Sequence, residues 1–312
     1  MIPSLSSISS RLRLRQLRLL IALDEHGSLH KAAERVSITQ PGATKALHEI
    51  ESTLGATLFE RTPRGLEPND LGRCVIRYAR LIHTDLAHLR EEMLGILQGQ
   101  GGRLAVGIIM GGVPLLLRAL ARLRDKQPQL SVEILEDTSA RLLQMVDQGR
   151  LDLAICRTSV SQRPDDYECL SEHREELVLV ANPQHPLAGS AHLDLADLAD
   201  SPWVVYPANM PMRLLLEREF SEAGLDFPRY PLETSSTFTT LMLLQEDPRL
   251  VALMPIEVAQ FALRYGMLAR LPLRIRSRTE PYSAVTRRGA PLTAPASLLL
   301  EELRKENLAL HG

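Results

Sequence analysis

The stretch 39–51, "TQPGATKALHEIE", sets a proline and a glycine where an amphipathic helix is about to begin. Inside a helix those residues cost about 3 and about 1 kcal/mol relative to alanine. At a helix start the balance changes, because the first N–H groups have no partner within the helix and Pro41 gives up little there. Thr39 is then the N-cap, its hydroxyl accepting from a free backbone N–H. Downstream the faces separate: Ala43, Ala46, Leu47, Ile50 and Leu54 form an apolar stripe, while Gln40, Pro41, Thr44, Lys45 and His48 point the other way.

Upstream, Leu14, Leu17, Leu20 and Ile21 recur at helical spacing, followed by a Gly27 stop and by Ser28, placed to cap a second helix. That helix carries Leu29, Ala32, Ala33 and Val36 on one face, and its paired alanines let a neighbour cross closely. Two helices and a short turn, the second offering Gln, Thr and Lys at its own start, fit a helix-turn-helix. Gln bonds adenine bidentately, Lys reaches guanine or phosphate, and Thr or Pro touches a thymine methyl. A bare Gly42 backbone would allow close approach to DNA or to the preceding helix. The competing reading is an amphipathic helix with a solvated face. Beyond Gly55, two short segments flank Pro63-Arg64-Gly65, a hairpin with Arg61 and Arg64 at base and tip, which reads as a phosphate-gripping wing. Asn69 then caps a long helix whose apolar stripe, Leu71, Val75, Tyr78, Ile82, Leu86, Leu89 and Met93, approximates a heptad seam and points to dimerisation, the alternative being a helix packed on its own domain. "QGQGG" at 98–102 ends it in a flexible joint.

The pieces Gly27-Ser28, Ala32-Ala33, Thr39-Gln40-Pro41, Leu58-Phe59-Glu60-Arg61 and Arg64-Gly65 run in one order over about fifty residues, and together they resemble the N-terminal domain of the LysR-type transcriptional regulators. The resemblance implies DNA contacts at Gln40, Pro41, Thr44 and Lys45 and at the wing residues Arg61 and Arg64. It also implies assembly into tetramers. Leu29, Gly42 and Asn69 depart from the residues usual in the family at those positions.

Bulk properties agree with two folding units. The chain has 312 residues, 45% hydrophobic and 24% charged. Its first 80 residues carry 12 Lys and Arg against 8 Asp and Glu, a net +4, so the remainder holds −6 of the overall −2. A basic module joined to an acidic one hints at nucleic acid for the first and another ligand for the second. Nothing is long and apolar enough for a membrane span, and "MIPSLSSISS" reads as a frayed tail and not a secretory signal. Three cysteines without a CxxC pair fit reduced thiols in a cytoplasm.

From Arg103 the pattern becomes α/β. Short strands such as "RLAVGII", "LSVEILE" and "LDLAIC" alternate with helical stretches, implying βαβ units and a parallel sheet, and a second set follows from "LVLVAN". The expected organisation is a winged helix-turn-helix over 1–68, a linker and dimerisation helix over 69–100 and a two-lobed α/β domain over 101–312. Lobe I takes about 101–172 and 278–312, lobe II about 173–277. The full-length resemblance implies a regulatory domain similar to periplasmic binding proteins, with a small molecule in its cleft. In open α/β lobes ligands sit beyond strand ends near helix starts, which selects Met110, Gly111, Gly112, Thr138, Ser139 and Arg157 from one lobe. The other supplies Ala208, Asn209, Met210, Ser235, Ser236 and Thr237. Helix N-termini favour an anionic group, so the expected effector is a small organic anion.

Catalysis is the competing class. No GxSxG, P-loop or HExxH motif is present, the nine histidines show no metal-ligand spacing, and no cofactor is called for. Cys156 at a strand end is a candidate redox thiol, with a buried apolar role as the alternative. The sequence thus reads as a ligand-responsive, non-enzymatic regulator of an interrupted DNA palindrome. The alternative is a binding or enzymatic two-lobed protein with a non-specific DNA or interaction module.

Overall fold

The computed structural model of the chain describes residues 3–63, 65–98, 102–208 and 210–311. Arg64, Asn209 and positions 99–101 of the expected joint therefore lie outside the described residues. The chain divides into two compact units, Met1–Arg103 with Gln144–Leu151, and Leu104–Leu143 with Asp152–Gly312.

The first unit contains α1 (Leu5–Arg11), α2 (Leu14–His26), α3 (Leu29–Arg35), α4 (Gln40–Leu54), the strands β1 (Phe59–Thr62) and β2 (Gly65–Pro68), and α5 (Asp70–Gln98). The serine-rich opening is not a frayed tail: Ser4 caps α1 by accepting from the Ser7 N–H at 3.4 Å, although α1 buries no residue. Leu20, Leu23, Ala32, Ala33, Ala43, Ile50 and Ala79 close the core of the unit, with the small alanines where helices cross. Ser28 stands at the N-cap of α3 but makes no side-chain cap bond. β1 and β2 pair antiparallel, Thr62 opposite Gly65, as a wing. The wing is anchored by the Leu66 N–H, which donates to the Gly27 carbonyl at 2.8 Å. A side chain at position 65 would put its Cβ 2.5 Å from that same oxygen, at a φ of +127°, so this docking requires glycine. Asn69 caps α5 through the Gly72 N–H at 2.9 Å, and Arg80 ties α5 to α2 through Asp24 and Glu25 at 2.9 and 3.0 Å.

Apart from Arg103 and the last turn of α7, which fall to the first unit, the second unit runs β3 (Arg103–Ile108), α6 (Val113–Lys126), β4 (Ser131–Glu136), α7 (Ser139–Asp147), β5 (Leu153–Cys156) and β6 (Tyr167–His173). It continues with β7 (Leu177–Ala181), β8 (Trp203–Val205), α8 (Pro211–Glu222), β9 (Leu232–Glu233), α9 (Thr237–Glu246), β10 (Val251–Pro255), α10 (Ile256–Arg264), β11 (Ala269–Leu271), β12 (Tyr282–Arg287) and α11 (Ala294–His311). Two five-stranded sheets result, in the orders β4-β3-β5-β12-β6 and β11-β7-β10-β8-β9. The chain passes from one sheet to the other at 174–176 and returns at 272–281. Both sheets are mixed, not parallel: β12 runs antiparallel to β5 and β6, and β7 antiparallel to β10 and β11. Helical crossovers account for the parallel pairs, β3 with β5 and β8 with β10, whereas the crossing segments deliver their strands in the opposite sense.

Helices α6 and α11 are joined by charge. Glu302, buried on α11, accepts from Lys126 at 2.6 Å, Lys305 at 2.8 Å and Arg122 at 2.9 Å, while Glu306 meets Arg118 at 2.7 Å and also Arg122. The Lys126 hydrogen bond above all, then those of Lys305 and Arg122, hold the Glu302 carboxyl at about 2, below its ordinary 4.5. A depressed carboxylate stabilises the fold above its unfolded value and loses that contribution as pH falls toward the folded one. The melting temperature should therefore fall as pH drops from about 4.5 toward 2. In Glu302→Gln that slope should flatten, as acid melts followed by circular dichroism would register.

Candidate functional site

In the first unit the expected contact residues fall on one exposed face. Gln40, Pro41, Lys45 and His48 are exposed along the first turns of α4, and Arg61 is exposed on the wing. Thr39 caps α4 as expected, and the N–H it accepts from is that of Gly42, at 3.2 Å. A Cβ at Gly42 would lie 3.1 Å from that capping hydroxyl, a tight contact. Thr44 is half-buried and its hydroxyl donates to the Gln40 carbonyl at 3.1 Å. On α5, Leu71, Tyr78, Ile82, Leu86, Leu89 and Met93 are exposed, an apolar stripe with no cover inside its own unit. Val75 differs from the expected seam: it packs against the core of the first unit. The opposite face of α5 buries Ile76, Ala79 and Leu81.

In the second unit a cleft of about 730 Å³ opens between the two sheets, a size suited to a small molecule. Met110, Gly111, Thr138, Ser139 and Arg157 line it from one lobe, and Met210, Ser235, Ser236 and Thr237 from the other. Two expected residues do not line it. The Gly112 N–H turns back onto the Ile109 carbonyl at 2.9 Å, and its Cα faces Ile155 and Ile108. Ala208 is exposed to one side. The lining adds Glu136, Asp137, Glu175, Tyr206 and Phe238, which sequence patterns did not single out. Glu175 in particular lies in a crossing segment, where no periodicity marks a residue.

Arg157 is engaged with the chain itself. Its guanidinium pairs with buried Glu175, its Nε donates to the Glu280 carbonyl at 2.9 Å, and it lies 5.9 Å from the Tyr282 ring centre. Its backbone N–H donates to Ser139 Oγ at 3.2 Å. Burial holds the Glu175 carboxyl above the usual carboxylate range, with the Arg157 guanidinium opposing only part of that rise. The expectation of an anionic effector meets an obstacle here. Among the described residues Arg157 is the only lysine or arginine in the lining, and Glu175 already pairs with it, while Glu136 adds a carboxylate and Asp137 is itself paired with Arg141 at 3.7 Å. Beside the ion pair the lining consists of hydroxyls and the Glu136 carboxylate next to apolar Met110, Met210 and Phe238.

Cys156 is fully buried, and burial pushes its thiol up to about 12, which fits a small core residue better than a reactive thiolate. Trp203 sits in the lobe II core against Phe220, its indole N–H donating to the Leu198 carbonyl at 3.3 Å, and does not line the cleft. Among the described residues no cluster of His, Cys, Asp or Glu could hold a metal ion, and no helix is long and apolar enough to cross a membrane.

Two family models match the chain: "Bacterial regulatory helix-turn-helix protein, lysR family" over residues 14–73, and "LysR substrate binding domain" over residues 97–307. The HTH-type transcriptional regulator GbpR of Azospirillum brasilense is 35% identical over 301 residues, covering 95% of this chain and 87% of that regulator. GbpR of Rhizobium radiobacter is 29% identical over 73% of this chain and 76% of its own length. Among solved structures, CbnR, a LysR family transcriptional regulator, aligns with a TM-score of 0.62 at 22% identity, over 95% of this chain and 99% of that one. Full-length CbnR complexed with its target DNA aligns at 0.61 and 22%, over 94% and 99%.

Gly111 lies against the ion pair, since a Cβ there would reach 1.6 Å from Glu175 Oε1. Gly111→Ala should thus push the carboxylate off Arg157 and lower stability by about 1–3 kcal/mol, the usual range for overpacking. Gly189→Ala, which adds its Cβ to open space, should leave denaturant melts almost unchanged.

Proposed function

The chain belongs to the LysR family of DNA-binding transcriptional regulators, and from that premise we propose that α4 reads bases in a major groove while a small effector in the cleft alters how the protein holds its DNA. The observation that carries this reading is the exposed face of Gln40, Pro41, Lys45 and His48 on the first turns of α4, within the module matched by the helix-turn-helix family. Thr39 stands at the cap, Thr44 completes the face, and Arg61 and Arg64 of the wing hold the backbone. We assign 1–68 to DNA binding, 69–100 to a linker that pairs two subunits, and 101–312 to effector binding. The uncovered stripe from Leu71 to Met93 supports pairing, with two recognition helices on successive major grooves of an interrupted palindrome. Tetramers formed from such dimers, working in the cytoplasm, are the assembly the family resemblance implies.

For the effector, the paired arginine and the additional Glu136 carboxylate favour a molecule without net negative charge, rich in hydroxyl or amine donors. Thr138, Ser139, Ser235, Ser236 and Thr237 would meet its polar edge, and Met110 and Met210 its apolar one. Binding favours one arrangement of the lobes, and by linkage changes affinity for DNA.

Selection from a random duplex pool should return an interrupted inverted repeat, and Gln40→Ala should relax preference at one position of each half-site, at a cost of about 1–3 kcal/mol. Recovery of unselected sequences by the wild-type protein would remove α4 from base reading. Replacing Leu86 and Leu89 with lysine should shift sedimentation toward the monomer. Thermal-shift titration with neutral polyhydroxylated compounds and their carboxylate counterparts on the same skeletons should give shifts confined to the neutral members. Shifts with the carboxylates alone would restore the anionic effector.

A further inference from the structure

The helix-turn-helix family match begins at residue 14, yet the chain folds a further helix ahead of it. α1 buries no residue of its own, and Leu5 is 81% exposed, so it adds nothing to the core. Helices this short are marginal in isolation. What α1 does is lie against α4. Together with the start of α2 the two helices form an open groove of about 530 Å³, lined by Arg11 and Arg13 on one side and by Lys45, His48 and Ser52 on the other. The groove is shallow, with a single carboxylate in its lining, Glu49, whose Oε2 accepts from Gln16 at 3.5 Å. Arg11, Arg13 and Lys45 are exposed and enter no ion pair among the described residues.

We propose that this groove is a second DNA contact, seating backbone phosphates of the duplex whose bases α4 reads. Charge complementarity selects the occupant: three free cations and a neighbouring hydroxyl match a row of phosphate oxygens. Position selects the same duplex, because Lys45 and His48 belong both to the exposed face of α4 and to the wall of the groove. A phosphate path leaving the major groove beside α4 meets Lys45 first and then the two arginines on the far wall. The contact carries no sequence information, since guanidinium groups on phosphate position the protein without reading bases. It rests on the reading of α4 as the base-reading helix only for its placement along the DNA.

The test is equilibrium binding across a series of salt concentrations, on the selected site and on an unrelated duplex. It compares the full-length protein with Arg11→Ala/Arg13→Ala, Arg11→Lys/Arg13→Lys and Gln40→Ala. Each phosphate contact contributes about 0.9 to the slope of log affinity against log salt. The double alanine variant loses two contacts in each of the two paired subunits and should therefore lose about 3.6 of slope on both DNAs while selecting the same sequence. The double lysine variant should keep the slope. An unchanged slope in the alanine variant would overturn the proposal, and so would an equal loss in the lysine variant, which would mean that the arginines only support the fold. If Gln40→Ala left sequence preference intact while the alanine pair still lowered the slope, the base-reading assignment would fail and the phosphate site would stand.

Discussion

A single guanidinium sits where the two lobes of the second unit are joined. Arg157, at the end of β5, reaches one crossing segment through Glu175 and the other through the Glu280 carbonyl, and the Thr279 hydroxyl donates to the Glu175 carbonyl at 3.3 Å to close the arrangement. Removing either charge would leave its partner buried and uncompensated, which in proteins is strongly destabilising. The packing nearby accommodates the pair: Gly111 is bare because the carboxylate occupies its Cβ position, and Tyr282 covers the guanidinium while its hydroxyl donates to the Gly111 carbonyl at 3.3 Å. Lobe motion in such a fold is a hinge rotation absorbed by a few connecting residues. In this chain those connecting residues are the ones that the ion pair fastens to each other.

The same ion pair shows where sequence reading stops. Arg157 was legible as a strand-end residue near the cleft, but its role was not, because Glu175 and Glu280 are distant in sequence and carry no periodic signal. The helix-turn-helix was legible almost residue by residue, because its rules are local: a capping threonine, a tolerated first-turn proline, alanines at a crossing and glycines at two stops. Edge strands were the weak point. β6, "YECLSEH", alternates too irregularly between buried and exposed positions to announce itself, and β11 is three residues long. Without them the pairs β6 with β12 and β7 with β11 could not be foreseen, and the alternation of strand and helix in the first lobe read as a parallel sheet.

Charge was the least legible quantity. Helix starts favour an anion, but that rule leaves out which charges and amides the folded chain already pairs. Amides that sequence alone offers as anion donors are likewise occupied: Thr138 donates its own to Asp137 Oδ1 at 2.7 Å, and Ser236 caps α9 by accepting from Thr239 at 3.2 Å. A site's chemistry is set by the groups left over after folding.

Helix α5 has a mechanical consequence. It is fastened to its DNA-binding unit at its start by Asn69 and near its middle by Arg80, so unit and helix turn together as one arm. At 29 residues and a rise of about 1.5 Å per residue, the arm is about 43 Å long. If two such arms are joined along their exposed stripes, each degree by which they scissor displaces a tip by about 0.7 Å. Ten degrees is then about 7 Å, twice the rise of a base pair and enough to take a recognition helix out of register with its half-site.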